Sequence, residues 1–322
     1  MPMTPEHQLV SVLGVPLDLG VSKLGVDMGP TAIRYAGIFE ALAFAGLDFV
    51  DAGDLDVVRN FPLDHLPPRE REKAKLDEII RVSEALAERV ANARRRGELP
   101  IILGGDHATA IGSIAGVAST CERMGVLWID AHPDANTPQT SPSGNIHGMP
   151  LAVSLGHGIP ELVHCAGFAP KVRPEDVCIV GARDIDPGEA AFLRQQGVRH
   201  FTTYDIQNMG LHPVMDQALD TVSRRTDAVY VSFDTDVIEG AVAPGTGIVT
   251  RGGLSYREIS YVMQYIGQSL EFAAMDVIEV NPLMDKRNQT AELAVELLMA
   301  ALGVRYSEYE KTYLARNRPV GG

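Results

Sequence analysis

The chain has 322 residues, 45% hydrophobic and 22% charged, a globular balance that argues against disorder. Its 28 Lys and Arg stand against 42 Asp and Glu, and the net charge of −14 disfavours nucleic acid, whose phosphates need a basic surface, while suiting a small cationic substrate. Three cysteines, Cys121, Cys165 and Cys178, are too few and too irregularly spaced for a disulfide framework or a CxxC zinc site, so reduced thiols and a cytoplasmic setting are expected.

The opening MPMTPEHQLVSVLG has no basic n-region and no long apolar h-region, so no signal peptide is expected. No apolar run approaches the roughly 20 residues that span a bilayer, which excludes a membrane partner. "LVSVLGVPL", from Leu9, reads as the first strand. Thr31 to Ala45, opened by Gly29-Pro30, reads as a helix, and "LDFVDAG", from Leu47, as the second strand. Asn60 to Pro68 is the most loop-like stretch and a candidate flap. Arg69 to Arg95 then carries Leu76, Ile79, Ile80, Leu86 and Val90 at helical steps, bounded by Pro67-Pro68 and Gly97. Six more strands follow: "PIILGG" from Pro100, "GVLWID" from Gly125, "DVCIVGA" from Asp176, "VRHFTTYD" from Val198, "DAVYVSFD" from Asp227 and "FAAMDVIEV" from Phe272. Eight strands alternating with helices predict an α/β fold, a mostly parallel sheet covered on both faces. With no repeat and no long linker, residues 1–322 read as a single domain.

Polar residues collect after four of these strands. "PIILGGDH" ends in Asp106 and His107, and "GVLWID" in Asp130, with His132 and Asp134 behind it. "VYVSFDTD" ends in Asp234 and Asp236, and "MDVIEVNP" carries Glu279. In an open parallel sheet, ligands bind beyond the carboxyl ends of the strands. A lone Asp there is commonly a cap or turn former. Six metal-competent side chains with repeated D-x-D and D-x-H-x-D spacing are not explained that way. Four carboxylates so close repel unless cations sit between them, and two dications would neutralise them. If the extended backbone continues, alternation would project Asp130, His132 and Asp134 to one side. The donor set of oxygens and imidazoles without thiolate favours Mn²⁺ over structural Zn²⁺. Two ions sharing a water would make it a nucleophile near neutral pH, with His147 a candidate proton shuttle. Glu279 suits a cationic substrate group or, alternatively, an ion pair with Arg287 or Lys286.

GGDH (Gly104 to His107), DAHPD (Asp130 to Asp134), SGNIHG (Ser143 to Gly148), SFDTD (Ser232 to Asp236) and EVNP (Glu279 to Pro282) together resemble the ureohydrolase (arginase and agmatinase) family, most closely its bacterial arginase branch. The resemblance runs from "GVPLDLG" at Gly14 to "DKRNQTAELAVELL" near the C-terminus. It implies a three-layer α/β/α fold, two Mn²⁺ per chain, and hydrolysis of the guanidinium of L-arginine to L-ornithine and urea by a metal-bridging hydroxide. His107, Asp130, His132, Asp134, Asp234 and Asp236 would be the ligands, Asp130 and Asp234 bridging. Asp134 would steady the tetrahedral intermediate, His147 would pass protons to the leaving amine, and Glu279 would hold the guanidinium. Asn136, Ser143 and Asn145 would bind the α-carboxylate; Asp186 and Glu189 would bind the α-amine. For Ser143, Asn145 and Asp186, turn or cap roles are the alternative. Relatives form trimers and hexamers, so a homo-oligomer is implied.

Residues Val237 to Gly253, "VIEGAVAPGTGIVTRGG", depart from the family pattern. Ile248 stands where a threonine is usual and Val249 where a proline follows it; Glu239 replaces an aspartate and Gly240 a proline, and Arg251 is unusual. A lost hydroxyl costs about 0.5–1.5 kcal/mol and would retune substrate binding. The alternatives are therefore agmatine or a guanidino acid as substrate, or a non-catalytic metal-binding homologue.

Overall fold

The computed structural model describes residues 8–58 and 63–304. In chain order the elements are β1 (Val10–Val15), α1 (Gly29–Tyr35), α2 (Ile38–Phe44), β2 (Phe49–Asp54), α3 (Pro68–Arg95), β3 (Leu99–Gly104), α4 (Thr109–Ala118), β4 (Met124–Ile129), α5 (Pro150–Ser154), α6 (Pro160–Val163), β5 (Val177–Ala182), α7 (Pro187–Gln196), β6 (Arg199–Thr202), α8 (Thr203–Met209), α9 (Leu211–Ser223), β7 (Ala228–Asp234), α10 (Tyr256–Ser269), β8 (Ala274–Ile278) and α11 (Gln289–Ala301). All eight expected strands are present. They form one sheet in the order β2-β1-β3-β8-β7-β4-β5-β6, with every neighbouring pair parallel.

Side chains of the inner strands alternate between two cores, as the pleat requires. Ile101, Leu103, Leu127, Ile129, Val231 and Phe233 join α1, α2, α9, α10 and α11 on one face. Ile102, Val126, Trp128 and Tyr230 join α3, α4, α5 and α6 on the other. The result is the expected three-layer α/β/α arrangement. Both faces being covered explains why the strands read as unbroken apolar runs.

Two local expectations are corrected. The helix expected over Thr31 to Ala45 is two helices, α1 and α2, because Gly37 adopts a left-handed conformation (φ 91°) that ends the first and opens the second. The strand expected from Val198 stops at Thr202, whose hydroxyl accepts the Asp205 N–H and caps α8. Of the candidate flap, residues 60–62 lie outside the described residues; Pro68 already begins α3.

The four strands that end in polar residues, β3, β8, β7 and β4, are consecutive neighbours in the centre of the sheet. Register places Asp234 beside Ile278, one residue before Glu279, and Ile129 beside Phe233, so Asp130 and Asp234 leave the sheet side by side. The order of strands, more than any single turn, gathers the site.

Candidate metal centre

His107 follows β3 and is fully buried, its ring stacked on Trp128 with centroids 4.2 Å apart. Its Nδ1 lies 3.1 Å from Asp130 Oδ2, 2.9 Å from Asp134 Oδ2 and 3.2 Å from Asp234 Oδ2. None of the three is in hydrogen-bonding geometry, so this buried nitrogen has no partner. The other ring nitrogen fixes the tautomer. Nε2 sits 2.8 Å from Ser232 Oγ, whose single hydrogen goes to Asp276 Oδ1. Ser232 therefore accepts from Nε2–H, and the Nδ1 lone pair is aimed at the three carboxylates. A lone pair facing carboxylate oxygens is repulsive unless a cation lies between them. The donors fit a divalent ion.

A second group shares Asp130 with the first: His132 Nδ1 lies 3.5 Å from Asp130 Oδ1 and 2.9 Å from Asp236 Oδ2. Backbone and indole donors fix the acids. Trp128 Nε1 and the His132 N–H donate to Asp130, the Ala131 N–H to Asp236, and the Asp236 N–H to Asp234. Of these acids, Asp130 is common to both groups, whereas Asp234 belongs to the first alone.

The electrostatics are those of excess anion. Burial, then repulsion from Asp130, raises Asp134 and Asp236, the latter to about 6. Burial and repulsion from Asp236 raise Asp234 well above the usual carboxylate range. Burial opposes ionisation of Asp130 too, yet the two imidazoles hold it low. For His107 burial disfavours the charged form, and the surrounding carboxylates outweigh it and raise the ring well above its ordinary value, so Nδ1 holds a proton where no metal ion is bound and offers its lone pair where one is.

The six residues come together, but not by strand alternation. β4 ends at Ile129, before Asp130, and Asp134 takes a left-handed backbone (φ 48°). β7 ends at Asp234, and Asp236 lies in the 3₁₀ turn Thr235–Val237. Turns with their own hydrogen bonds, rather than a continued pleat, aim these side chains.

Above the metal groups lies a cavity of about 190 Å³ lined by His132, Asp134, Asn136, Ser143, His147, Asp186, Glu189, Ile248 and Glu279, among others. Glu279 pairs with His147, Oε1 to Nδ1 at 3.0 Å, rather than with Arg287 or Lys286. Oε1 also accepts the His107 N–H, and Oε2 is buried without a partner. Glu279 holds a left-handed φ of 64°, a cost tolerated where a site demands it. Burial disfavours charge on His147, but Glu279 outweighs it and lifts the imidazole to about 9.

Glu189 is buried, and its carboxylate accepts the N–H groups of Ala135 and Asp186. Burial and then Asp134 push it up to about 8. Asp186 is the N-cap residue of α7 and accepts from Asn136 Nδ2. Asn145 does not line the cavity; its Oδ1 takes the Ser22 hydroxyl.

Two features escaped the sequence. Asp184 lines the cavity, and the D-x-D spacing of Asp184 and Asp186 repeats that of Asp234 and Asp236. Arg183 spreads its guanidinium over three carbonyls, those of Asp236, Val237 and Thr250. A main-chain acceptor leaves no mark in a sequence.

The family model described as "Arginase family" matches residues 8–303. Arginase from Bacillus caldovelox is 43% identical over 297 residues, 91% of this chain and 98% of the relative. Arginase from Brevibacillus brevis is 44% identical over 294 residues, covering 91% and 97%. The crystal structure of the Bacillus caldovelox arginase superposes with a TM-score of 0.88 at 42% identity, covering 93% of this chain and 100% of that one.

Proposed function

We infer the reaction from one premise, that the chain belongs to the arginase family: it is a hydrolase that converts L-arginine and water to L-ornithine and urea. The observation that carries this reading is the buried, partnerless Nδ1 of His107 facing three carboxylates beneath an acid-lined cavity. We assign His107, Asp130, His132, Asp134, Asp234 and Asp236 as ligands of two Mn²⁺, a choice supported by oxygen and imidazole donors without thiolate. When bound, two such ions lower the pKa of a water toward neutrality and make it a nucleophile.

The remaining roles belong to side chains. The free Oε2 of Glu279 receives a guanidinium N–H and turns the planar group toward the metal floor. Asp134 steadies the tetrahedral adduct as the water oxygen bonds to the guanidinium carbon. As the bond from that carbon to the stem nitrogen breaks, the amine takes a proton delivered through His147, whose pairing with Glu279 keeps the ring protonated near neutral pH. Asn136 and Ser143 on the cavity wall, with Asn145 beside them, suit the substrate carboxylate, and Asp186 suits its ammonium. Glu189, committed to backbone donors, holds that wall in shape.

In this reading residues 1–322 act as one domain, assembled as a trimer or hexamer in the cytoplasm. The three cysteines are unpaired, and no helix among the described residues is long and apolar enough to cross a membrane. Ile248 on the wall keeps agmatine and guanidino acids as second candidates. The test is urea release by the manganese-loaded protein from arginine, agmatine and guanidinobutyrate. Arginine should be turned over best, and preference for another member moves the assignment to it.

A further inference from the structure

Among the described residues, Ile248 is the one apolar side chain on the cavity wall; the others are acids, imidazoles, hydroxyls and an amide, with Gly148 beside them. A guanidino substrate with a second polar end carries an aliphatic stem between the two. That stem has one apolar surface to lie against.

The segment bearing Ile248 is fastened on both sides. Before it, Gly245 O accepts the Asn281 N–H, and Thr246 bridges to Val280 on the chain leaving β8. After it, Arg183 donates twice to Thr250 O, at 2.9 and 3.2 Å, while gripping the carbonyls of Asp236 and Val237. Glu239 Oε2 accepts the N–H groups of Gly252 and Gly253, both at 2.9 Å. A Cβ built on Gly240 would lie 2.3 Å from Val249 Cγ1 but an ordinary 3.7 Å from Val249 Cβ. Four of the five departures noted in the sequence, Glu239, Gly240, Ile248 and Val249, are thus neighbours in one wall. Gly240 leaves the space that Val249 fills, and Val249 adjoins Ile248.

We propose that Ile248 is a specificity-determining residue that takes the methylene stem of the guanidino substrate, and that the Gly240–Val249 contact and the Arg183 and Glu239 hydrogen bonds hold it there. The inference rests on the guanidino-hydrolase reading given above.

Binding of methyl-, propyl- and butylguanidine to the manganese-loaded protein, read by calorimetry, tests it. Wild type should bind more tightly along the series, by roughly fourfold for each methylene that reaches Ile248. Ile248→Ala should flatten this gradient while stemless methylguanidine binds as before, and Ile248→Leu should keep it; an unchanged gradient in Ile248→Ala overturns the proposal. Gly240→Ala should also flatten the gradient, and adding Val249→Ala, which removes the clashing methyl, should restore it. A silent Gly240→Ala, or failure of the second substitution to rescue, overturns the wall coupling. Calorimetry needs no turnover, so a chain that releases no urea from any guanidino compound yet shows the gradient would sink the reaction and leave this contact standing.

Discussion

The two rims of the sheet both bury aspartates, and they compensate them differently. At the amino-terminal rim Asp176, fully buried before β5, receives Arg123 Nε at 2.7 Å and Nη2 at 2.9 Å, with Arg225 at 3.6 Å. The chain supplies its own cations there. At the carboxyl-terminal rim Asp130, Asp134, Asp234 and Asp236 are buried too, and among the described residues the cationic partners within ion-pair distance of them are imidazoles alone. The nearby guanidinium, Arg183, spends its hydrogen bonds on carbonyls. A buried charge without an internal partner marks where an external cation belongs.

That contrast breaks most visibly at Asp130, which is common to both metal groups. Asp130→Asn should lower metal content toward zero and reduce urea release by several orders of magnitude; elemental analysis beside an activity assay checks both. Full occupancy would show that the ions do not depend on the acid common to both groups.

The rims should next differ in sign. Asp176→Asn should lower the Tm whether or not metal is present, because Arg123 loses its partner. Asp234→Asn should raise the Tm of the chelated protein, because it removes a carboxylate that its neighbours repel, while lowering that of the manganese-loaded protein. The pH dependence follows from the same acids. Asp236 has a folded pKa raised by burial and Asp130 to about 6, above its unfolded value, so its protonation stabilises the metal-free fold fully below the unfolded pKa. This is lost as pH rises through about 6. The Tm gap between loaded and chelated protein should therefore widen from pH 5 to pH 7; a constant gap would mean these carboxylates do not titrate with the fold.

A smaller effect is expected one layer out from the ligands. Ser232→Ala removes the acceptor that fixes the His107 tautomer and should weaken metal binding by about 10- to 100-fold, with a lower Tm in the chelated chain as well because it leaves a buried N–H without a partner. Arg183→Lys should cost a similar factor in kcat/KM, because an ammonium cannot reach three carbonyls in one plane. Metal titration and steady-state kinetics separate the two.

Much of this was legible beforehand because apolar runs and turn residues are local. All eight strands were visible, and the acids and histidines that follow them stood out as residue types that a core strand tolerates only with a partner. Their geometry was not legible. The D-x-H-x-D spacing suggested a continued pleat, whereas Asp134 is aimed by a left-handed turn, a backbone state that an aspartate code does not announce. The strand order that sets β3, β8, β7 and β4 side by side comes from packing. The double role of Asp186, cap and cavity wall, follows from where α7 starts, and the grip of Arg183 runs entirely through carbonyls.

The finest test falls on Asn145, between the two kinds of surface. Its side chain is turned to Ser22 and away from the cavity, yet it sits on the loop whose Ser143 lines the wall. If that loop swings to meet a substrate carboxylate, Asn145→Ala removes a neutral hydrogen bond and raises the KM for arginine by roughly two- to tenfold, leaving kcat close to wild type. Agmatine has no carboxylate, so its KM should not move. An equal rise for both substrates would place Asn145 in the architecture of the loop, with Asn136 and Ser143 left to read the carboxylate alone.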